Sequence, residues 1–376
     1  VEKAYLVTVY AHINSVPHGS TGKIMLQEHE ELLARGAKSF AFWGRGRAPQ
    51  NANEFRFATD AEVYLDVLRT RIDGRAGFHS KRATKRLLKK LDEINPDIVH
   101  LHNIHGYYVN IEMLFEWLVN HDCQVQWTLH DCWAFTGHCA HFTYVKCAQW
   151  RVHCAYNEPC CQLHTYPKTY SKHSCSRNFE DKQRIFTSIP ASRMTLITPS
   201  HWLEDLVKES FLKNYPILVK HNTVDTTVFK PTPSDFREHY GIGGRFMILG
   251  VASPWTERKG LNDFVQLAKD LDFEKFAIVL VGFSKKQIKS LPKEIIGLTR
   301  TDSAQELAAI YTVADVFFNP TYEDNFPTVN LEAQSCGTRV ITYDTGGCSE
   351  TIVDRGSFTV KNYSEAVCAL RKAANE

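Results

Sequence analysis

Short runs of β-branched and other apolar residues alternate along this chain with longer stretches whose apolar positions recur every three to four residues. That alternation predicts strand and helix in turn from end to end, and so an α/β architecture with mostly parallel sheets. Ala4–Val9, Ser39–Trp43, Asp97–His102, Val125–His130 and Thr195–Thr198 read as strands of a first half. Phe246–Val251, Ala277–Val281, Val316–Asn319 and Val340–Tyr343 read as strands of a second half. The pattern predicts helices over Lys23–Ala34, which ends before Gly36, and over Leu261–Leu271. Ser303 and Glu306 have capping-box spacing, and a further helix opens at Pro327 and closes at Gly337. Residues 221–236 are rich in Thr, Pro and Asp, lack helical periodicity and read as a connection. The expected domains are therefore 1–222 and 223–376, each Rossmann-like, with the carboxyl ends of their strands facing a central cleft. Open α/β sheets bind ligands at those ends, so chemistry is sought just after strands.

Composition narrows the class without changing the fold. The 376 residues exceed what one hydrophobic core usually organises. Lys and Arg total 44 against 42 acidic residues, a balance that argues against a nucleic-acid partner. No apolar run reads as long enough to span a bilayer, and Val1–Val9 lacks the layout of a secretory leader. The expected compartment is the cytoplasm.

Four post-strand segments carry candidate chemistry. Residues 321–338, TYEDNFPTVNLEAQSCGT, turn and enter the helix at Pro327. The unpaired N–H groups at such a helix start suit a phosphate or an electronegative sugar oxygen. Asp324 and Glu332, separated by seven residues, can hydrogen-bond two sets of hydroxyls on one ligand; acids on an ordinary capped helix are the plainer reading. Residues 250–264, GVASPWTERKGLNDF, place Arg258 and Lys259 before Gly260. Adjacent cations there can neutralise a departing diphosphate, or simply form a solvated basic turn. HGSTGKI, residues 18–24, offers Gly19 and Gly22 for close backbone approach. It has neither dinucleotide-fingerprint nor P-loop spacing. Finally, His130 and Asp131 end one first-half strand, and His102, Asn103 and His105 end another. A histidine that only packs in the core is the commoner outcome at such places.

Together these segments resemble the retaining glycosyltransferases of family four (glycosyltransferase group one), of the bacterial polysaccharide or capsule type and of GT-B fold. Asp324-x7-Glu332 is similar to the family's acid-x7-Glu motif, with Asp where Glu is usual. The resemblance implies that Asp324 and the amides of Asn325 and Phe326 orient the donor sugar and that Glu332 holds the ribose. It assigns Lys259 to the donor diphosphate. The family's usual Arg six residues earlier is Ser253 here, with Arg258 as the substitute. It also implies that the Gly19–Gly22 segment faces the donor phosphates and that His130 lies beside the donor sugar. His102, Asn103 and His105 are the acceptor candidates. Asn222 and Asp225 match an Asn-x-x-Asp with a structural role, and DTGGCSETI continues the likeness through Gly346, Gly347 and Glu350.

Seven of the 11 cysteines fall between Cys132 and Cys175, in what reads as an insert. Cys139, Cys147, Cys154 and Cys160 have loop spacings that can hold one structural zinc tetrahedrally; free thiols in a loop are the alternative. Residues 79–91, HSKRATKRLLKKL, form a basic amphipathic pattern that suits either an anionic membrane surface or packing on the domain. Peripheral attachment at the inner face of the membrane is the corresponding expectation. Asp270-x-Asp272 ends a helix and reads as surface charge.

The expected activity is hexosyl transfer from a nucleoside diphosphate sugar to a hydroxyl of a glycan or lipid-linked glycan. Catalysis would require no metal cofactor, because cations and a helix start provide the positive charge. A sugar-nucleotide epimerase of the same fold and a non-catalytic nucleotide-sugar-binding subunit are the alternatives.

Overall fold

The computed structural model describes residues 7–375, so Ala4–Leu6 of the first expected strand lie outside the described residues. The chain divides into two compact units, Val1–Lys220 and His221–Glu376.

The first unit is built on a seven-stranded parallel sheet. Its strands are β1 (Val9–Asn14), β2 (Lys38–Trp43), β3 (Glu54–Arg56), β4 (Ile98–Leu101), β5 (Gln124–Thr128), β6 (Met194–Thr198) and β7 (Ile217–Val219). They lie in the order β3-β2-β1-β4-β5-β6-β7. The order reverses between β1 and β4, which makes that edge the switch point of the sheet. Helices α1 (Gly19–Ala34), α2 (Asp60–Asp73), α3 (Lys81–Ile94), α4 (Ile111–Asn120), α5 (Ser174–Phe186) and α6 (His201–Glu209) belong to this unit.

One sequence expectation changes here, and one open alternative is resolved. HGSTG does not form a loop ahead of the helix; Gly19 and Gly22 occupy the first turn of α1 itself. Low glycine helix propensity argued for a later start, but tertiary packing decides it: a Cβ on Gly22 would sit 2.6 Å from the Pro17 carbonyl carbon. The basic segment forms α3, and its apolar face is already used. Leu87 and Leu91 are fully buried in the unit's core, each stabilising the fold by roughly 1.5–3 kcal/mol. Only the cationic face of α3 is left to meet a surface.

The second unit carries a six-stranded parallel sheet of β8 (Phe246–Val251), β9 (Phe276–Val281), β10 (Ile295–Leu298), β11 (Val316–Asn319), β12 (Val340–Tyr343) and β13 (Phe358–Val360). The order β10-β9-β8-β11-β12-β13 puts the switch point between β8 and β11. β9 is buried at every position, as its unbroken apolar run FAIVLV requires of a strand covered on both faces. The helices are α7 (Phe236–His239), α8 (Leu261–Asp270), α9 (Lys285–Ile288), α10 (Ala304–Val313), α11 (Thr328–Ser335) and α12 (Tyr363–Ala373). Pro327 is the N-cap of α11, and Gly337 follows its end at φ +85°. The Ser303 box is half formed: Ser303 Oγ accepts the Glu306 N–H, while the Glu306 carboxylate turns to the Asp302 N–H. Among the described residues no helix is long and apolar enough to cross a membrane.

Candidate functional site

The β8 and β11 loops meet at the second unit's switch point. After β8 the chain passes Ala252–Thr256, makes one 3-10 turn over Glu257–Lys259, and enters α8 through Gly260. Gly260 has φ +73°, and a Cβ there would lie 2.2 Å from the Pro320 carbonyl oxygen, so only glycine lets the two loops approach this closely. Three contacts then lock them together. The Tyr322 N–H donates to the Arg258 carbonyl at 2.8 Å, the Arg258 guanidinium donates to the Glu323 carbonyl, and the Lys259 ammonium pairs with the Asp324 carboxylate.

A third loop closes the arrangement from β12. The Gly347 N–H donates to the Asp324 carbonyl at 3.0 Å, and Thr345 Oγ1 donates to the Thr321 carbonyl at 2.6 Å. Gly346, at φ +59°, has its missing Cβ only 2.0 Å from the Asp324 carbonyl oxygen. Below the loops, Tyr322 and Tyr343 both donate their hydroxyls to the nearly buried Asp263, at 2.9 and 2.5 Å, which pins the acid loop to α8. Burial, the Asp263 hydrogen bond and its charge push the Tyr322 hydroxyl up to about 12. Both tyrosines therefore stay neutral donors.

Asp324 is partly exposed at the turn, and its Oδ1 accepts the Asn325 N–H at 3.0 Å. Phe326 is buried and stacks on His221 with ring centroids 4.8 Å apart. Eight positions after Asp324, Glu332 lies one face along α11 and accepts the Tyr311 hydroxyl at 3.1 Å. Burial first, and then the Glu332 charge, hold that tyrosine far above its usual range, so it remains a donor. Neither Tyr311, Asp263 nor Thr345 was singled out from sequence. Tyr311 and Asp263 sit in ordinary helical patterns, and nothing local marks a hydroxyl or carboxylate that will support a loop. The structure thus brings Arg258, Lys259, Asp324, Asn325 and the start of α11 into one loop cluster.

In the first unit the structure gathers His102, Asn103, His105 and His130 around one small cavity of about 10 Å³. His105 bridges Asp131 at 2.9 Å and the Tyr166 hydroxyl at 2.8 Å. Burial would raise the Asp131 carboxyl, but the facing His105 ring and the Trp133 N–H outweigh it and hold it well below the usual range. Burial lowers His130 to about 4 despite the neighbouring Asp131 charge, so its ring is neutral. His130 Nε2 lies 3.1 Å from His102 Nδ1. His102 itself is buried. Asn103 receives its place from Asn14, whose Oδ1 accepts the Asn103 N–H at 3.2 Å across the switch point.

Cys139, Cys147, Cys154 and Cys160 line a second cavity of about 10 Å³, together with Cys161 and His138. The Gln162 N–H points at Cys160 Sγ at 3.5 Å. Contacts with the Cys139 and Cys175 thiols draw the Cys160 thiol down, while burial pushes Cys154 up to about 12. Cys175, on α5, reaches this cluster from outside the four-residue spacing read in the sequence.

Residues 235–375 match the sequence profile of the family described as glycosyl transferases group 1. Over 354 residues the chain is 22% identical to a putative colanic acid biosynthesis glycosyl transferase, WcaC, of Escherichia coli K12, covering 91% of this chain and 84% of that protein. Shorter matches to other curated glycosyltransferases span about half the length of those proteins, 48% and 47% in two cases. Among solved structures, the sucrose-phosphate synthase of Thermosynechococcus elongatus superposes with a TM-score of 0.70 at 15% identity, over 98% of this chain and 90% of that one. Anabaena HepE, solved in complex with UDP-glucose, gives a TM-score of 0.62 at 12% identity, over 97% and 89%.

Proposed function

Because its second unit belongs to glycosyl transferases group 1 and the chain is a glycosyltransferase of GT-B fold, we propose that it moves a hexosyl group from a nucleoside diphosphate sugar to a hydroxyl of a glycan or lipid-linked glycan, with retention at the anomeric carbon. The observation that carries this reading is the joining of the basic and acidic loops at the β8–β11 switch point. In the reaction the bond from the anomeric carbon to the diphosphate oxygen breaks, a bond to the acceptor oxygen forms, and the hydroxyl proton leaves. Negative charge grows on the diphosphate. Lys259 and Arg258 and the unpaired N–H groups at the start of α11 would meet that charge, so the scheme calls on no divalent metal. Asp324 and the amides of Asn325 and Phe326 would orient the sugar, and Glu332 would hold the ribose hydroxyls. In the first unit, His102, Asn103 and His105 are the proposed acceptor contacts, and His130, kept neutral and paired with His102, would lie beside the donor sugar. Gly19, at the first turn of α1, would offer its N–H to phosphate oxygens, while Gly22, buried against Pro17, would shape the turn. Attachment to an anionic membrane would rest on the cations of α3 alone and weaken steeply with salt.

A thermal-shift panel of nucleotides and nucleotide sugars tests the reading, since a bound donor stabilises the folded chain by mass action. At least one nucleoside diphosphate should raise the melting temperature; none doing so sinks the proposal. NMR of the product then distinguishes retention, and conversion of the donor without any acceptor would identify an epimerase. Two observations favour a binding subunit instead: Lys259 and Asp324 neutralise one another, and Ser253 stands where the family resemblance expects Arg. Donor binding with no turnover across acceptors would establish that reading.

From the loop spacing of Cys139, Cys147, Cys154 and Cys160 we propose a structural zinc outside the chemistry, although their sulfurs do not all converge to within 4.8 Å of one another in this structure. Serine at Cys139 and Cys154 together should remove the thiolate-to-cobalt charge-transfer absorption of cobalt-loaded protein. Retention of that absorption would place the thiolate site elsewhere.

A further inference from the structure

A second cluster of metal-type side chains lies inside the first unit, away from the cysteines. His12 on β1 and His100 on β4 are direct register partners across two parallel strands. His102 follows His100 by two residues, and a strand returns to the same face with that period. The three imidazoles therefore share one face of the sheet at the switch-point edge. Their ring centroids are 5.3 Å apart for His12 and His100 and 4.3 Å apart for His100 and His102. Helix α1 covers the face and delivers Glu28 into the group. Its Oε2 lies 3.3 Å from His100 Nδ1 and 3.6 Å from His102 Nε2.

Packing alone leaves this group poorly satisfied. Both ring nitrogens of His12, the Oε2 of Glu28 and the Nε2 of His102 are buried with no hydrogen-bond partner. Buried polar atoms nearly always have one, so these orphans on three neighbouring residues need an explanation. The outward-facing nitrogens are supported in the way metal-ligating histidines usually are. His100 Nε2 meets Thr128 Oγ1 at 2.8 Å, and His102 Nδ1 meets His130 Nε2 at 3.1 Å. Such partners fix the tautomer and turn the remaining nitrogen toward the ion. One ligand atom from each of the four residues lies within 4.8 Å of all the others. Tetrahedral bonds of about 2.0–2.1 Å to zinc put neighbouring ligands roughly 3.4 Å apart. The two Glu28 distances already have that length.

We propose that His12, Glu28, His100 and His102 form a binding site for a divalent transition-metal ion of the zinc type, which fastens α1 to β1 and β4 behind the first unit's switch point. Three imidazoles and one carboxylate are a nitrogen-rich set that favours zinc and its late first-row neighbours over magnesium or calcium. Burial keeps His12, His100 and His102 as neutral bases, the form that binds a metal. The competing occupant is the Lys220 ammonium, 2.6 Å from Glu28 Oε1. It meets only the carboxylate and leaves the imidazole nitrogens unanswered. Its side chain is 56% exposed and can withdraw to solvent.

The test uses the full chain, stripped with a chelator and titrated with cobalt(II) while absorption and bound metal are followed. The prediction is one nitrogen-type equivalent, with ligand-field bands but no thiolate charge transfer, in addition to any cobalt held by the insert thiols. That equivalent should persist when Cys139 and Cys154 are changed to serine. It should be lost in His12→Asn and in Glu28→Gln, together with any zinc-induced rise in melting temperature. Lys220→Ala should tighten it, because the competing cation is gone. Glu28 lies on the partly accessible side of α1, so Glu28→Gln carries the test if His12→Asn does not fold. Wild-type protein that takes up only thiolate-bound cobalt, or a folded Glu28→Gln chain that keeps the full nitrogen-type equivalent, overturns the proposal.

Discussion

At the scale of single residues the proposed donor site rests on charges whose partners are now visible. Lys259 and Asp324 hold one another, both side chains about one-fifth exposed. A pair so close to solvent contributes only about 0–1 kcal/mol to stability. If it is instead a charge reserved for the diphosphate, Lys259→Ala should leave the melting temperature nearly unchanged and reduce turnover by roughly 10²-fold. Equal turnover by mutant and wild type would remove Lys259 from the chemistry. Tyr311 makes a different prediction. Its hydroxyl donates to Glu332, so Tyr311→Phe removes one of the contacts that orient that carboxylate. Losing one hydrogen bond to a charged group is worth about 1.5–3 kcal/mol, so nucleotide binding should weaken by about tenfold or more. Calorimetric titration would show it; unchanged affinity would mean that Glu332 is positioned by other contacts.

At the scale of elements, strands were the most legible part of the sequence. Phe246–Val251, Val316–Asn319 and Val340–Tyr343 read at their observed bounds because buried parallel strands are short, unbroken apolar runs. The start of α1 was not legible, since two glycines argue locally for a loop while their packing against Pro17 is a tertiary fact. The short edge strands β3, β7 and β13, three residues each, lack enough pattern to register. Within the site, the seven-residue spacing of Asp324 and Glu332 was readable, and so was the basic turn. The β12 loop that grips the acid loop was readable only as a string, because its role depends on a missing Cβ 2.0 Å from a carbonyl. That contact predicts a contrast between two glycines. Gly346 and Gly241 both have φ +59°, but a Cβ on Gly241 meets nothing within 4 Å. Alanine at Gly241 should cost about 1 kcal/mol from backbone strain alone. Alanine at Gly346 should cost clearly more and abolish nucleotide binding. Denaturant melts of the two variants decide it, and equal losses would contradict the account of the loop.

At the scale of the whole molecule, the first unit stores neutral histidines. Burial lowers His12 to about 3 and His130 and His138 to about 4, with His100 and His102 also well below 6.5. Because these folded-state values lie below the unfolded one, the unfolded chain binds protons first as pH falls. Their contribution to stability is complete above pH 6.5 and is lost progressively toward about pH 4. Melting temperature should therefore drop steeply over that window, with intrinsic fluorescence reporting it, and a flat profile would show that the histidines are accessible. Acid would also release a metal from the His12 group, which steepens the fall in the same direction. The two parallel sheets, each with loops gathered at its switch point, give the architecture on which the donor assignment depends. The most direct test of that assignment is calorimetric titration of wild-type and Glu332→Ala chains with the nucleoside diphosphate that stabilises the protein in the panel. The account predicts saturable binding to the wild type and affinity at least about tenfold weaker in the variant, through loss of the ribose contact. Equal affinity in a folded Glu332→Ala chain, or no binding to the wild type by any nucleoside diphosphate, would contradict it.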